Sequence, residues 1–215
     1  MKVYLMPFAI RVEGLSLKKG YKLLISELNF EVGPGECVAL TGANGVGKTT
    51  LLRALAGFAP PHSGSIRIGD DNSDDSIVAS NSHYLGHAES LSPSRRVDQE
   101  LSFQCAYLGG TAQTLAEAVG KLRLNGLLDL ETRMLSAGQK RRLSLARLLM
   151  VRRPVWLLDE PMSPLDAEHR ASLAGMMQTH LSEGGLIVCA VHDPLPFETR
   201  ELRLVRAEIG EAVYG

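Results

Sequence analysis

One stretch restricts the fold of this chain more than any other: Gly42-Ala43-Asn44-Gly45-Val46-Gly47-Lys48-Thr49. It satisfies the pattern G-x-x-x-x-G-K-[ST]. A short apolar run, Glu36 to Thr41, leads into it. A helical run, Lys48 to Gly57, leads out and stops near Pro60-Pro61. Glycines at this spacing let successive backbone N–H groups converge on one anion, and the helix N-terminus adds the positive end of its dipole. The loop, continued by Thr50, therefore implies a nucleotide phosphate site. Lys48 reaches the β and γ phosphates, and Thr49 presents its hydroxyl to Mg²⁺. The alternative, a Gly-rich turn with no ligand, does not account for the strand before it and the helix after it.

A phosphate loop of this kind calls for an acidic strand nearby. Val155-Trp156-Leu157-Leu158-Asp159-Glu160 is an apolar strand ending in two carboxylates. Such a strand carries its last residues to the carboxyl edge of the sheet, where α/β proteins bind ligands. Asp159 is expected to hold Mg²⁺, directly or through water. Glu160 is expected to orient the attacking water or take its proton.

The rest of the chain alternates strands with helices. Ala9 to Leu17 reads as an edge strand. Leu23 to Val32 reads as a second strand, closed by the turn Gly33-Pro34-Gly35. Ser65 to Gly69 is a strand, and Ile77 to Gly86 holds one or two more, ending at Tyr84-Leu85-Gly86-His87. From Val97 to Leu130 the apolar residues take helical spacing, with Leu101, Ala106, Leu115, Ala118, Leu122 and Leu128. A helix from Gly138 to Met150, one from Ala167 to Leu181 and a strand from Leu186 to Val191 follow. This alternation predicts a parallel α/β sheet. The expected fold is a P-loop NTPase core with an N-terminal antiparallel β piece and an inserted helical subdomain. The chain reads as one domain over residues 1–215, with core at 1–87 and 138–215 and the helical subdomain at about 88–137. The polar stretch Gly69 to Ser76 carries Asp70, Asn72 and Asp74 but lacks the Gly and Glu of a calcium loop, so it reads as a solvated loop.

Leu135-Ser136-Ala137-Gly138-Gln139 narrows the reading further. By itself Ser136 with Gln139 is a capping box that starts a helix. A capped N-terminus with an exposed Ser and a Gly is also an anion site, so both readings hold together. The stretch resembles the signature of ABC ATPases. Ser163-Pro164-Leu165-Asp166 resembles their D-loop, and His192, after its apolar strand, resembles their switch histidine. The resemblance runs from about Ala9 to His192. It implies ATP and Mg²⁺ as ligands and a homodimer that sandwiches two ATP. In that dimer Ser136, Gly138 and Gln139 of one subunit complete the site built on Lys48 of the other. Glu160 and His192 then promote attack by water. Integral membrane subunits are the implied partners, docked near His87 and the helical insertion.

Two positions depart from the family pattern. Where most members carry a Gln that touches Mg²⁺ or water, this chain has His87, a hydrogen-bonding group whose charge is pH-sensitive. Pairing His83 with His87 as a zinc site suits a helix better than this strand. Where the family stacks an aromatic on adenine, Lys19 stands here, with Tyr21 two residues on. The Leu-Gly-His form, the short chain, the stretch Leu135 to Ala146, Arg147-Leu148-Leu149 and Trp156 together resemble one subfamily: the ATP-binding subunit of the haem exporter of cytochrome c maturation. That implies pairing with small membrane subunits and ATP hydrolysis linked to haem handling and release of a haem chaperone.

Composition excludes some classes. With 23 Lys and Arg against 24 Asp and Glu, the formal net charge of -1 gives no basic face for nucleic acid. Cys37, Cys105 and Cys189 are scattered and odd in number, which fits buried thiols in a reducing compartment. No apolar run approaches the roughly 20 residues that cross a bilayer. Met1 to Ile10 lacks a small-residue cleavage site and does not read as a signal peptide. The expected location is peripheral, on the cytoplasmic face of the inner membrane, tethered by other chains.

Overall fold

Period-two alternation splits this chain's strands between two hydrophobic cores. A computed structural model describes residues 8–69 and 81–206. The loop with Asp70, Asn72 and Asp74, the start of the run from Ile77 and the first seven residues lie outside the described residues.

Five parallel strands form the main sheet: β3 (Cys37–Thr41), β5 (Ser82–Leu85), β6 (Val155–Asp159), β7 (Leu186–Ala190) and β8 (Arg200–Arg203). Their order is β5-β6-β7-β3-β8. Val38, Leu40, Leu157 and Val188 enter one core, with helix α1 (Lys48–Leu55). Their neighbours Ala39, Trp156, Leu158 and Ile187 enter the other. Both faces are covered, as a parallel sheet requires. Strand β8 has no counterpart in the sequence reading. As an edge strand it reads Arg-Glu-Leu-Arg and stays largely exposed, so it shows no apolar run.

A smaller antiparallel sheet contains β1 (Ile10–Lys19), β2 (Lys22–Val32) and β4 (Ser63–Ile68), in the order β2-β1-β4. The expectation of an edge strand at Ala9 to Leu17 is thus corrected. β1 is central, hydrogen-bonded to β2 on one side and β4 on the other. Alternation reports which face is buried and says nothing about how many edges are paired.

Between β5 and the signature helix α4 (Ala137–Met150) lie α2 (Val97–Leu108), α3 (Ala112–Lys121) and two 3₁₀ turns, Asn125–Leu127 and Thr132–Met134. Leu101, Ala118, Leu122 and Leu124 of this segment share a core with Leu143 and Leu145 of α4 and with Trp156 and Ile187 of the sheet. Helix α5 (Ala167–Ser182) covers the same face. None of the helices among the described residues is long and apolar enough to cross a membrane. Cys37, Cys105 and Cys189 are buried and free, and burial pushes the Cys37 thiol up to about 12, which favours the protonated form.

Two buried histidines give the fold a pH dependence. Neutral His83 donates Nε2–H to the Val151 carbonyl at 2.8 Å, and His180 Nε2 bonds Pro154 at 3.1 Å while its ring stacks on Trp156 at 4.0 Å. Burial holds His83 down to about 3 and His180 down to about 4. The unfolded chain accepts protons near pH 6.5, where the native chain does not. Stability is therefore full above that pH and falls as pH drops toward 4. At pH 5 each histidine is expected to cost roughly 2 kcal/mol relative to pH 7. Urea unfolding at both pH values tests this. His180→Asn should lower stability yet shrink the difference, and an unchanged difference would refute the assignment. His83 lies buried within β5, whereas the His87 side chain is exposed beyond its end.

Candidate active site

The phosphate loop leaves β3 at Gly42, whose φ of 127° lies in the region that favours glycine. A Cβ there would stand 2.5 Å from the Leu204 carbonyl oxygen, just past β8. Ala43, Asn44 and Gly45 form an exposed crest, while Val46 and Gly47 turn inward. The helix starts at once, with Leu51 N donating to the Gly47 carbonyl at 2.8 Å. Lys48 is buried, and its Nζ curls back to donate to the Gly42 carbonyl at 2.6 Å. Thr49 Oγ1 donates to Asp159 Oδ2 at 2.8 Å, although 110 residues separate them. A hydroxyl and a buried carboxylate at one point supply the hard oxygen ligands that Mg²⁺ takes.

Beyond Asp159 the chain turns sharply. Glu160 has φ 48°, a left-handed conformation that costs a non-glycine residue about 1 kcal/mol or more. Its backbone N–H is held by the Ala190 carbonyl at 3.0 Å. The turn aims the carboxylate at two histidines. His192 Nε2 lies 2.7 Å from Glu160 Oε1, and His87 Nδ1 lies 4.0 Å from Oε2. Residues 87, 160 and 192 sit at the carboxyl ends of β5, β6 and β7, so the parallel sheet brings them to one edge. A cavity of about 640 Å³ opens beside Glu160 and His192, between α5 and Asp193 to Pro196.

Ser136 caps α4 as the capping box predicts. Gln139 N donates to Ser136 Oγ at 3.2 Å, and Ser136 N donates to Gln139 Oε1 at 2.8 Å. Ser136 is exposed. Gly138 is required by close approach, since a Cβ would stand 2.9 Å from the Pro164 carbonyl oxygen of the D-loop. Asp166 caps α5 through the His169 N–H at 2.9 Å, a bond that holds its carboxyl below the usual range. Among the described residues no hydrogen bond joins Ser136 or Gln139 to the phosphate loop of the same chain. Tyr21 stands fully exposed at the tip of the β1–β2 hairpin, while Lys19 pairs with Lys22 in the ladder. Leu24 and Ile25, a few residues on, lie against Gly47 and so bring the hairpin beside the loop.

Two arginines of this site escaped the sequence reading. Arg170 donates to the Leu165 carbonyl at 2.8 Å and the Met162 carbonyl at 3.2 Å, fixing the D-loop. Arg141 is 1% exposed and bonds the segments that carry His87 and Glu160. The available signal was its position. Arg141 shares a helical face with Leu145 and Leu148, so the periodicity places a charge on the buried side.

Known proteins match this architecture. The family model described as ABC transporter matches residues 25–163. A cytochrome c biogenesis ATP-binding export protein CcmA from Rhodopseudomonas palustris is 47% identical over 191 residues, 89% of this chain and 95% of the relative. A protein of the same description from Rhizobium johnstonii is 37% identical over 96% of this chain and 99% of its own length. A putative ABC transporter ATP-binding protein from Pyrococcus furiosus superposes with a TM-score of 0.77 at 22% identity, over 91% of this chain and 97% of that one, and so shares the fold. A match over well more than half of the chain, together with relatives of this identity and coverage, decides the assignment: the chain belongs to the ABC transporter ATPases and, within them, to the CcmA group.

Proposed function

We propose that this chain is the ATP-hydrolysing subunit of an exporter used in cytochrome c biogenesis, with haem as the cargo or the group handled. The observation that carries hydrolysis is the Glu160 carboxylate, held in a left-handed turn 2.7 Å from His192. Lys48 and the amides of Gly42 to Gly47 hold the phosphates of one ATP. Thr49 and Asp159 hold Mg²⁺, with His87 close by. The metal, when bound, neutralises charge on the phosphates. Glu160 orients the attacking water, and His192 steadies Glu160 and contacts the γ-phosphate. Most of the rate gain comes from positioning and charge stabilisation.

The exposed, capped N-terminus at Ser136 and Gly138 supports a two-subunit site. Among the described residues it makes no hydrogen bond to its own phosphate loop, which supports its covering the γ-phosphate of a partner's ATP. The helical segment at about 88–137 is read as a subdomain that, with His87, meets integral membrane subunits on the cytoplasmic face. The test is purification with membranes intact. Mg²⁺-dependent ATP hydrolysis and co-purifying integral membrane chains are expected. Absent hydrolysis would overturn the enzymatic reading, and exclusively soluble partners would overturn the exporter reading.

Tyr21 is proposed to stack on adenine after the hairpin closes. A stacked aromatic contributes about 1 kcal/mol. Tyr21→Ala is expected to raise KM for ATP roughly fivefold with kcat unchanged. An unchanged KM would place the base elsewhere.

A further inference from the structure

One guanidinium lies between the two segments that carry the hydrolytic cluster. Arg141 Nη1 donates to the Gly86 carbonyl at 2.9 Å, directly before His87. Its Nη2 donates to the Asp159 carbonyl at 2.7 Å, and its Nε to the Pro161 carbonyl at 3.2 Å, the residues on either side of Glu160. Glu89 Oε1, 3.5 Å from Nη1, supplies a carboxylate for the buried charge. Three residues along α4, Ser144 Oγ donates to the Glu89 carbonyl at 3.3 Å. The same helix therefore grips the turn after β5 and the turn after β6.

Packing alone does not ask for an arginine here. A leucine, like Leu145 and Leu148 on the same face, would avoid desolvating a charge but would leave the Gly86, Asp159 and Pro161 carbonyls without this donor. What the guanidinium adds is a rigid planar fork, able to hold several acceptors in fixed directions. The acceptors are main-chain carbonyls, so the grip sets backbone position at Glu160, the strained residue.

We infer that Arg141 is a positioning residue for hydrolysis, fixing Glu160 and His87 relative to each other and tying both to the helix that begins at Ser136. It acts through Glu160 and touches no substrate. Under the dimer reading proposed above, on which this inference rests, the two ends of the connection serve different ATP molecules. Ser136 covers the partner's ATP, while Glu160 orients water toward the subunit's own.

The experiment uses the full chain, with Mg·ATP as ligand, and the variants Arg141→Gln, Arg141→Lys and Glu160→Gln. Arg141→Gln is expected to bind Mg·ATP within twofold of wild type and to lose kcat at least tenfold. Arg141→Lys should recover part of that loss. In the double variant with Glu160→Gln, the residual rate should match that of Glu160→Gln alone. A packing role instead predicts multiplied losses and no rescue by lysine. If Arg141→Gln does not fold, Glu89→Gln, which unpairs the guanidinium and leaves its carbonyl acceptors, should lower kcat about threefold and again be silent beside Glu160→Gln. An active wild type with unchanged kcat in these variants, or with multiplied losses, overturns the inference alone. A wild type without ATP hydrolysis overturns the proposed function and this inference with it.

Discussion

Glu160→Gln is expected to bind ATP normally, hydrolyse it at least tenfold more slowly, and accumulate as an ATP-bound dimer. A decade in rate corresponds to about 1.4 kcal/mol of transition-state stabilisation. The amide keeps the size and the left-handed turn, so the Ala190 bond that holds residue 160 survives. It loses the negative charge that faces His192 at 2.7 Å and His87 at 4.0 Å. A glutamine still accepts a hydrogen bond from His192, but it is a far weaker base toward water. Binding is untouched because the phosphate loop lies on a different strand end. The measurement is single-turnover hydrolysis together with size-exclusion chromatography in Mg·ATP. Turnover at the wild-type rate would remove Glu160 from the mechanism.

Lys48→Ala is expected to fail at the earlier step. Its Nζ sits 2.6 Å from the Gly42 carbonyl, folded over the loop where the phosphates are proposed to lie. A hydrogen bond from a charged donor contributes about 2 kcal/mol, so Mg·ATP affinity should fall roughly thirtyfold. Lys48→Arg should restore little, because the fork is wider than the ammonium and the side chain is buried. Titration calorimetry with Mg·ATP separates this outcome from that of Glu160→Gln. Affinity within twofold of wild type would count against the loop assignment.

Legibility in the sequence followed the range of the interaction. The strand–loop–helix geometry of Gly42 to Thr49 could be read directly because its parts are contiguous. The place of Asp159 and Glu160, at a strand end beside that loop, could be read because a phosphate loop calls for an acidic strand end. The convergence of His87 and His192 on Glu160 depended on family resemblance, since no local pattern joins residues so far apart. The place of β1 was misread, because its second partner, β4, arrives only at Ser63. Strand β8 was missed because a solvated edge favours charge over apolar residues. Arg141 and Arg170 were missed because their partners are backbone carbonyls, and carbonyls leave no mark in a sequence.

The position of β3 bears on when the protein becomes competent during synthesis. Its two neighbours in the sheet are β7 and β8, the last two strands among the described residues. Thr41 at its end donates to Glu201, 160 residues later, and Leu204 walls in Gly42. A ribosome-bound chain that has already released its phosphate loop therefore lacks both flanks of that loop until Leu186–Ala190 and Arg200–Arg203 have emerged. Pairing at such sequence separation is slow to form. The growing subunit thus has little ability to trap nucleotide before both strands arrive, and a chain cut short before Arg200 would leave one edge of β3 bare.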